Sequence, residues 1–133
     1  MKKEELEYIN SWIQKAEQDL KLVDIVFESE DSHIPFNLVC YHCQQCVEKY
    51  LKAYLIFLNL SFPKTHSIAH LIGIASKIDK EIEKLNNAEK LTGYAIETRY
   101  PDDFYMPSTE EVSEAVELVN IVKKYVLLKI YSP

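Results

Sequence analysis

Apolar residues return every three or four positions along almost all of this 133-residue chain, and only two glycines interrupt the pattern. Spacing of that kind marks helices that bury one stripe. A β-protein needs a turn every few residues, so a chain with two glycines and five prolines is confined to long helices. Leu6, Ile9, Ile13, Ala16, Leu20, Val23 and Phe27 trace the first stripe, with Lys15, Glu17, Gln18 and Lys21 between them. The polar run Ser29-Glu30-Asp31-Ser32 ends it. Pro35 suits the first turn of a second helix, where its missing N–H is no loss. That helix shows Phe36, Val39, Cys40, Cys43, Val47, Tyr50, Leu51, Tyr54, Leu55 and Leu58 on one broad face, and Asn59 to Pro63 break it.

Thr65 is placed to cap a short third helix with Ile68, Leu71, Ile72 and Ala75 inward. Asp79 is placed to cap a fourth, in which Ile82, Leu85, Ala88, Leu91, Ala95 and Thr98 repeat; Asn86-Asn87 leaves open whether it is split. Ser108 and Glu111 have the spacing of a capping box, ahead of a last helix through Val112, Ala115, Val116, Val119, Val122, Val126, Leu127 and Ile130. The pattern predicts one domain over residues 1–133, an all-α antiparallel bundle of about five helices. The second and last of them should supply most of the core.

Charge and composition narrow the function classes. A net charge of −6 argues against bulk binding of nucleic acid through phosphates. No stretch approaches the roughly 20 apolar residues that span a bilayer, and no apolar leader precedes the first helix, so a cytoplasmic protein without a membrane role is expected. Cys40, Cys43 and Cys46 lie three apart on one predicted helix, with His42 between them. At about 100° per residue their sulfurs fan over roughly 120° of helix surface, so they read as core residues rather than as a metal or redox set. His66 and His70 have the spacing of two metal ligands, but Ser67 stands where a zincin carries its acid; they read as structural, and no metal or cofactor is expected.

Two constellations remain as candidate sites. Arg99 is the only arginine against fourteen lysines, and it lies in Glu97-Thr98-Arg99-Tyr100-Pro101-Asp102-Asp103-Phe104-Tyr105. Its planar fork can clamp a carboxylate or phosphate with two hydrogen bonds, which lysine cannot do, or anchor its own loop through Asp102, Asp103 or Glu48. On the second helix, Gln44, Gln45, Glu48, Lys49 and Lys52 interleave with the core stripe. A solvated face is the simpler reading of them, with Glu48–Lys52 an ordinary ion pair; a polar seam facing another helix or a ligand is the sharper one.

The run from Tyr41 to Tyr54, with Gln44, Glu48, Lys49, Lys52 and Ala53, resembles the second-helix signature of HEPN domains. Thr65-His66-Ser67-Ile68 with Leu71, Tyr94 followed by Arg99-Tyr100-Pro101-Asp102, and Trp12, Ala16, Asp19 and Leu20 extend the resemblance over nearly the whole chain. It implies an up-and-down helical bundle, a homodimer, and a gene neighbour encoding a minimal nucleotidyltransferase in a toxin–antitoxin-type module. Some HEPN proteins are metal-independent RNases with a histidine four to six residues after an arginine; others bind nucleotides or serve as partner subunits. Here residues 103 to 106 are Asp, Phe, Tyr and Met, and no histidine follows His70. The resemblance therefore implies a non-catalytic member, without catalytic residues of its own. Arg99, Tyr100, Asp102, Lys52, Glu48, Lys49 and His66 would meet a nucleotide or the nucleotidyltransferase partner. The alternative is a degenerate ribonuclease toxin using Arg99 with His66. Tyr41, Tyr100 and Tyr105 are the candidates for a dimer surface.

Overall fold

The computed structural model describes residues 1–29, 33–95 and 105–132. Five helical elements follow one another: α1 (Lys3–Glu28), α2 (Phe36–Phe57), α3 (Ile68–Ala75), a 3₁₀ helix (Lys80–Ala95) and α4 (Thr109–Tyr131). No strand occurs among the described residues. Side-chain contacts fix the directions. Asp19 of α1 meets Lys49 of α2 while Trp12 meets Lys52, so these two run antiparallel. The 3₁₀ helix returns along α2, from Asp79 beside Tyr54 towards Thr92 beside Ile68. The path is up, down, up and down, with α3 as a short connector.

The second helix is the centre of the bundle. It packs on α1, α3, the 3₁₀ helix and α4, and twelve of its residues are buried, so its apolar face is far wider than one stripe. The last helix buries six, no more than α1, so the expectation that the second and last helices dominate the core holds only for the second. At the ends of α1 the apolar spacing misleads: Leu6 and Phe27 are exposed. The three cysteines are fully buried, as their spacing suggested. Burial raises the thiol of Cys40 to about 11 and that of Cys43 to about 12, which leaves both as inert packing groups.

The fourth element is not an α-helix. Ile82, Leu85, Ala88 and Leu91 are buried at strict intervals of three. A three-residue repeat drifts by about 60° per step around an α-helix but stays on one face of a helix with three residues per turn. The segment runs unbroken through Asn86 and Asn87, and Asp79 opens it by accepting the N–H of Ile82 at 3.2 Å through its carbonyl.

Helix ends follow local chemistry. The α2 helix ends in a Schellman arrangement: Asn59 takes a left-handed φ of 59°, and the N–H groups of Asn59 and Leu60 reach the carbonyls of Ile56 and Leu55 at 3.0 and 2.9 Å. Pro35 sits one position before α2 rather than inside its first turn. Ser67, not Thr65, caps α3, accepting the N–H of His70 at 3.1 Å; Thr65 instead accepts the N–H of Ser67 at 3.0 Å and shapes the approach. The Ser108–Glu111 capping box forms as expected, with both hydrogen bonds at 3.1 Å.

Candidate functional site

A polar seam follows α2, meeting α1 through Asp19 and the approach to α3 through His66. Gln44 and Glu48 are one turn apart on the central helix, and both are buried, Glu48 at 4 % exposure. A buried carboxylate must find partners for its lone pairs, because desolvation without them costs several kcal/mol. Glu48 has three. Lys52 Nζ donates to Oε1 at 2.6 Å, Gln44 Nε2 donates to Oε2 at 2.6 Å, and His66 Nδ1 lies 3.0 Å from Oε2. Burial pushes the Glu48 carboxyl up, but the hydrogen bonds from Lys52, His66 and Gln44 outweigh it and hold the group below its ordinary value. Gln45 extends the chain by donating to Gln44 Oε1 at 2.8 Å.

Towards the other end of the seam, Asp19 of α1 repeats the arrangement. Its carboxylate takes Lys49 Nζ at 2.6 Å on Oδ2 and faces His42 Nδ1 at 3.0 Å on Oδ1. Each of the two carboxylates thus holds one lysine and one histidine. Because a carboxylate only accepts, Nδ1 is the protonated nitrogen of each imidazole, and Nε2 is turned away from the acid. The Lys52 ammonium also sits 5.5 Å from the Trp12 ring centroid and 6.0 Å from that of Phe62, in range of a cation–π contact with both.

The simpler expectation for these residues, a solvated face, is therefore overturned. Glu48–Lys52 is a buried pair with side-chain exposures of 5 and 12 %, and the polar seam against another helix is what forms. The fold brings Glu48, Lys49, Lys52 and His66 together, while Arg99, Tyr100 and Asp102 lie outside the described residues. His66, read from the sequence as structural, reaches the Glu48 carboxylate. Asp19 and His42 complete the seam. The alternation of Asp19 with Trp12 and Lys15 on α1 was the sequence signal for them, since an acid facing the core side of a helix asks for a cation on its neighbour.

A second junction gathers Asp79. Tyr54 of α2 and Tyr125 of α4 both donate to its Oδ2, at 2.6 and 2.5 Å. Burial raises this carboxyl, but the two hydroxyls, the Lys129 charge and the Glu81 N–H together hold it below its ordinary value. Near the start of α4, Tyr94 and Tyr105 donate to the two oxygens of Glu111, at 3.2 and 2.5 Å. Tyr105 is thus engaged with its own chain's capping residue. No group of three or more metal-ligating side chains comes together among the described residues, and no helix there is long and apolar enough to cross a membrane.

A family model described as the HEPN domain matches residues 9–130. The candidate toxin MJ1304 of Methanocaldococcus jannaschii is 30 % identical over 111 residues, which cover 75 % of this chain and 68 % of that protein. The crystal structure of ST0689, an archaeal HEPN homologue, superposes with a TM-score of 0.68 at 24 % identity, covering 98 % of this chain and 99 % of that one. The crystal structure of TT1696 from Thermus thermophilus superposes at 0.69 with 23 % identity, covering 91 % and 97 %. At such identities the two structures establish the shared bundle and nothing finer.

Proposed function

The chain belongs to the HEPN domain family, and on that premise we propose that it acts as the non-catalytic, homodimeric HEPN subunit of a toxin–antitoxin-type module and binds a minimal nucleotidyltransferase. The naming of MJ1304 as a candidate toxin supports the setting. Both histidines of the seam contact carboxylates that also bind a lysine, and one observation supports the non-catalytic part: no histidine stands four to six residues beyond Arg99. Metal-independent RNA cleavage by 2′-hydroxyl attack needs a general base beside the arginine. After Arg99 the chain offers no histidine at all. The same pairing disfavours a bare nucleotide as the ligand. Lys49 and Lys52 already neutralise Asp19 and Glu48, so a phosphate would have to displace a 2.6 Å ion pair to reach either ammonium. A protein partner needs no such exchange, and Arg99 with Tyr100 and Asp102 is the segment we assign to it.

Purification of the tagged protein from its native host, followed by mass spectrometry, should recover a nucleotidyltransferase with a Gly-Ser motif. Arg99→Lys keeps the charge and loses the fork, so it should abolish that recovery and leave the melting temperature unchanged. A variant that melts normally and still binds the partner removes Arg99 from the site. A second reading has one observation in its favour. His66 is 57 % exposed, and its Nδ1 contact with Glu48 leaves Nε2 facing outward, where a degenerate ribonuclease would need it. RNA cleaved by the purified wild type and spared by His66→Ala would replace the first reading with that one.

A further inference from the structure

The outer face of the α1–α2 pair carries apolar and aromatic groups at its two ends and paired charges between them. At one end Leu22, Val26, Pro35 and Leu38 line a groove of about 150 Å³, with His42 at its inner edge. Leu22 and Leu38 stand 42 and 52 % exposed there. At the other end Tyr8 packs edge-on against Trp12, with ring centroids 6.4 Å apart, and Trp12 lies under Lys52. Between these ends Lys49 pairs with Asp19 and Lys52 with Glu48, and exposed Lys15 lies one turn from Asp19 on α1, so the centre of the face is internally paired in a chain whose net charge is −6.

We infer that this α1–α2 face is the surface on which a second copy of the chain docks, about a two-fold axis near the Asp19–Lys49 pair. The inference rests on the homodimer reading above and names its surface. Two chains that each carry −6 repel wherever their acidic surfaces meet, and the repulsion is least where the facing charges are already neutralised. An isologous contact also requires a self-complementary patch. Antiparallel apposition sets the apolar end of one copy over the aromatic end of the other, while the internally paired charges stay at the centre. The size fits. A helix of 26 residues is about 39 Å long and two neighbouring helices are about 20 Å across, which offers on the order of 800 Å² per copy, the area of a standard stable interface. The surface differs from the one expected from the tyrosines. Of these, half-buried Tyr41 of α2 neighbours the face, exposed Tyr105 is bonded to Glu111 near α4, and Tyr100 lies outside the described residues.

Sedimentation equilibrium of the full chain at about 1–50 µM tests it. The wild type should be dimeric. Leu22→Asp with Leu38→Asp should weaken the dimer at least 100-fold, whereas Ile121→Asp with Leu128→Asp, equally exposed on α4, should leave it intact. Both sites are on the surface, so circular dichroism should stay helical. Acetylation of Lys15 in the wild type, which needs no variant, should slow as concentration carries the protein into the dimer, while Lys124 reacts at a constant rate. A dimer that survives the Leu22/Leu38 pair, or a Lys15 rate independent of concentration, overturns the surface and leaves the homodimer reading standing. A wild type that is monomeric throughout overturns both.

Discussion

At the scale of single residues, Glu48 is where stability and the site coincide. It lies buried among Lys52, Gln44 and His66, and removing its charge strands an ammonium in a poorly solvated place. Glu48→Gln should therefore cost about 3 kcal/mol at neutral pH, in the range measured for breaking buried pairs. Its pH dependence follows from the lowered carboxyl. In the unfolded chain a glutamate titrates at about 4.3, and in the fold Glu48 titrates below its ordinary value. Between those two values the unfolded state holds more protons than the folded one. The stabilisation is thus fully present above about pH 5 and lost as pH falls through the folded value. Melting curves from pH 3 to 7 should show the gap between wild type and Glu48→Gln closing on the acid side only. A gap that stays constant would mean that the carboxylate is not what holds Lys52 and His66. This residue also shows why the site was only half legible. Spacing put Glu48, Lys49 and Lys52 on one face of a helix, but whether that face meets water or other parts of the chain depends on where α1 and the His66 segment lie, which no local pattern contains.

Among the elements, those with explicit end signals were the most readable. Ser108 and Glu111 formed the expected box because capping is a contact between residues three apart and needs no tertiary partner. Ser108→Ala should lower stability by about 1 kcal/mol, read from urea denaturation, with no change in the transition's slope. The 3₁₀ helix was less legible, although its repeat of three was printed in the chain. Periods of 3.6 and of three differ by about one residue in two turns, and Ala95 and Thr98 blurred the count. Ala88 makes the difference testable, for it is 1 % exposed at the centre of the run. In a helix of three residues per turn its side chain stacks directly in line with Leu85 and Leu91, so Ala88→Leu should overpack that line and cost about 1–3 kcal/mol. A neutral result would place Ala88 at the edge of the stripe, as an α-helix would.

For the whole molecule the question is what makes four long elements one cooperative unit. α1 and α4 have little direct contact, so each is held chiefly through α2, and the 3₁₀ helix packs on α3 and α2 and more lightly on α4. Asp79 sits at the point where three of these meet, its carboxylate taking the hydroxyl of Tyr54 from α2 and of Tyr125 from α4 just as the 3₁₀ helix begins. Nothing in the sequence tied residues 54, 79 and 125 together, because the pairing is a product of chain path rather than of spacing. Two donors on one oxygen polarise the same carboxylate, so the two bonds should not be independent. Tyr54→Phe and Tyr125→Phe should each cost about 1–2 kcal/mol, as hydrogen bonds to a charged acceptor do. In the double variant Asp79 keeps its partial burial and loses both hydroxyls, so the sum should be exceeded, with a coupling of about 0.5–1 kcal/mol. The far-ultraviolet signal and the tyrosine signal should follow one transition in the wild type and in both single variants. If the double variant instead loses α4 in a separate step, Asp79 is the latch that makes α4 part of the bundle; if the costs simply add and one transition persists, the apolar contacts of Val119, Val122 and Val126 with α2 hold it alone.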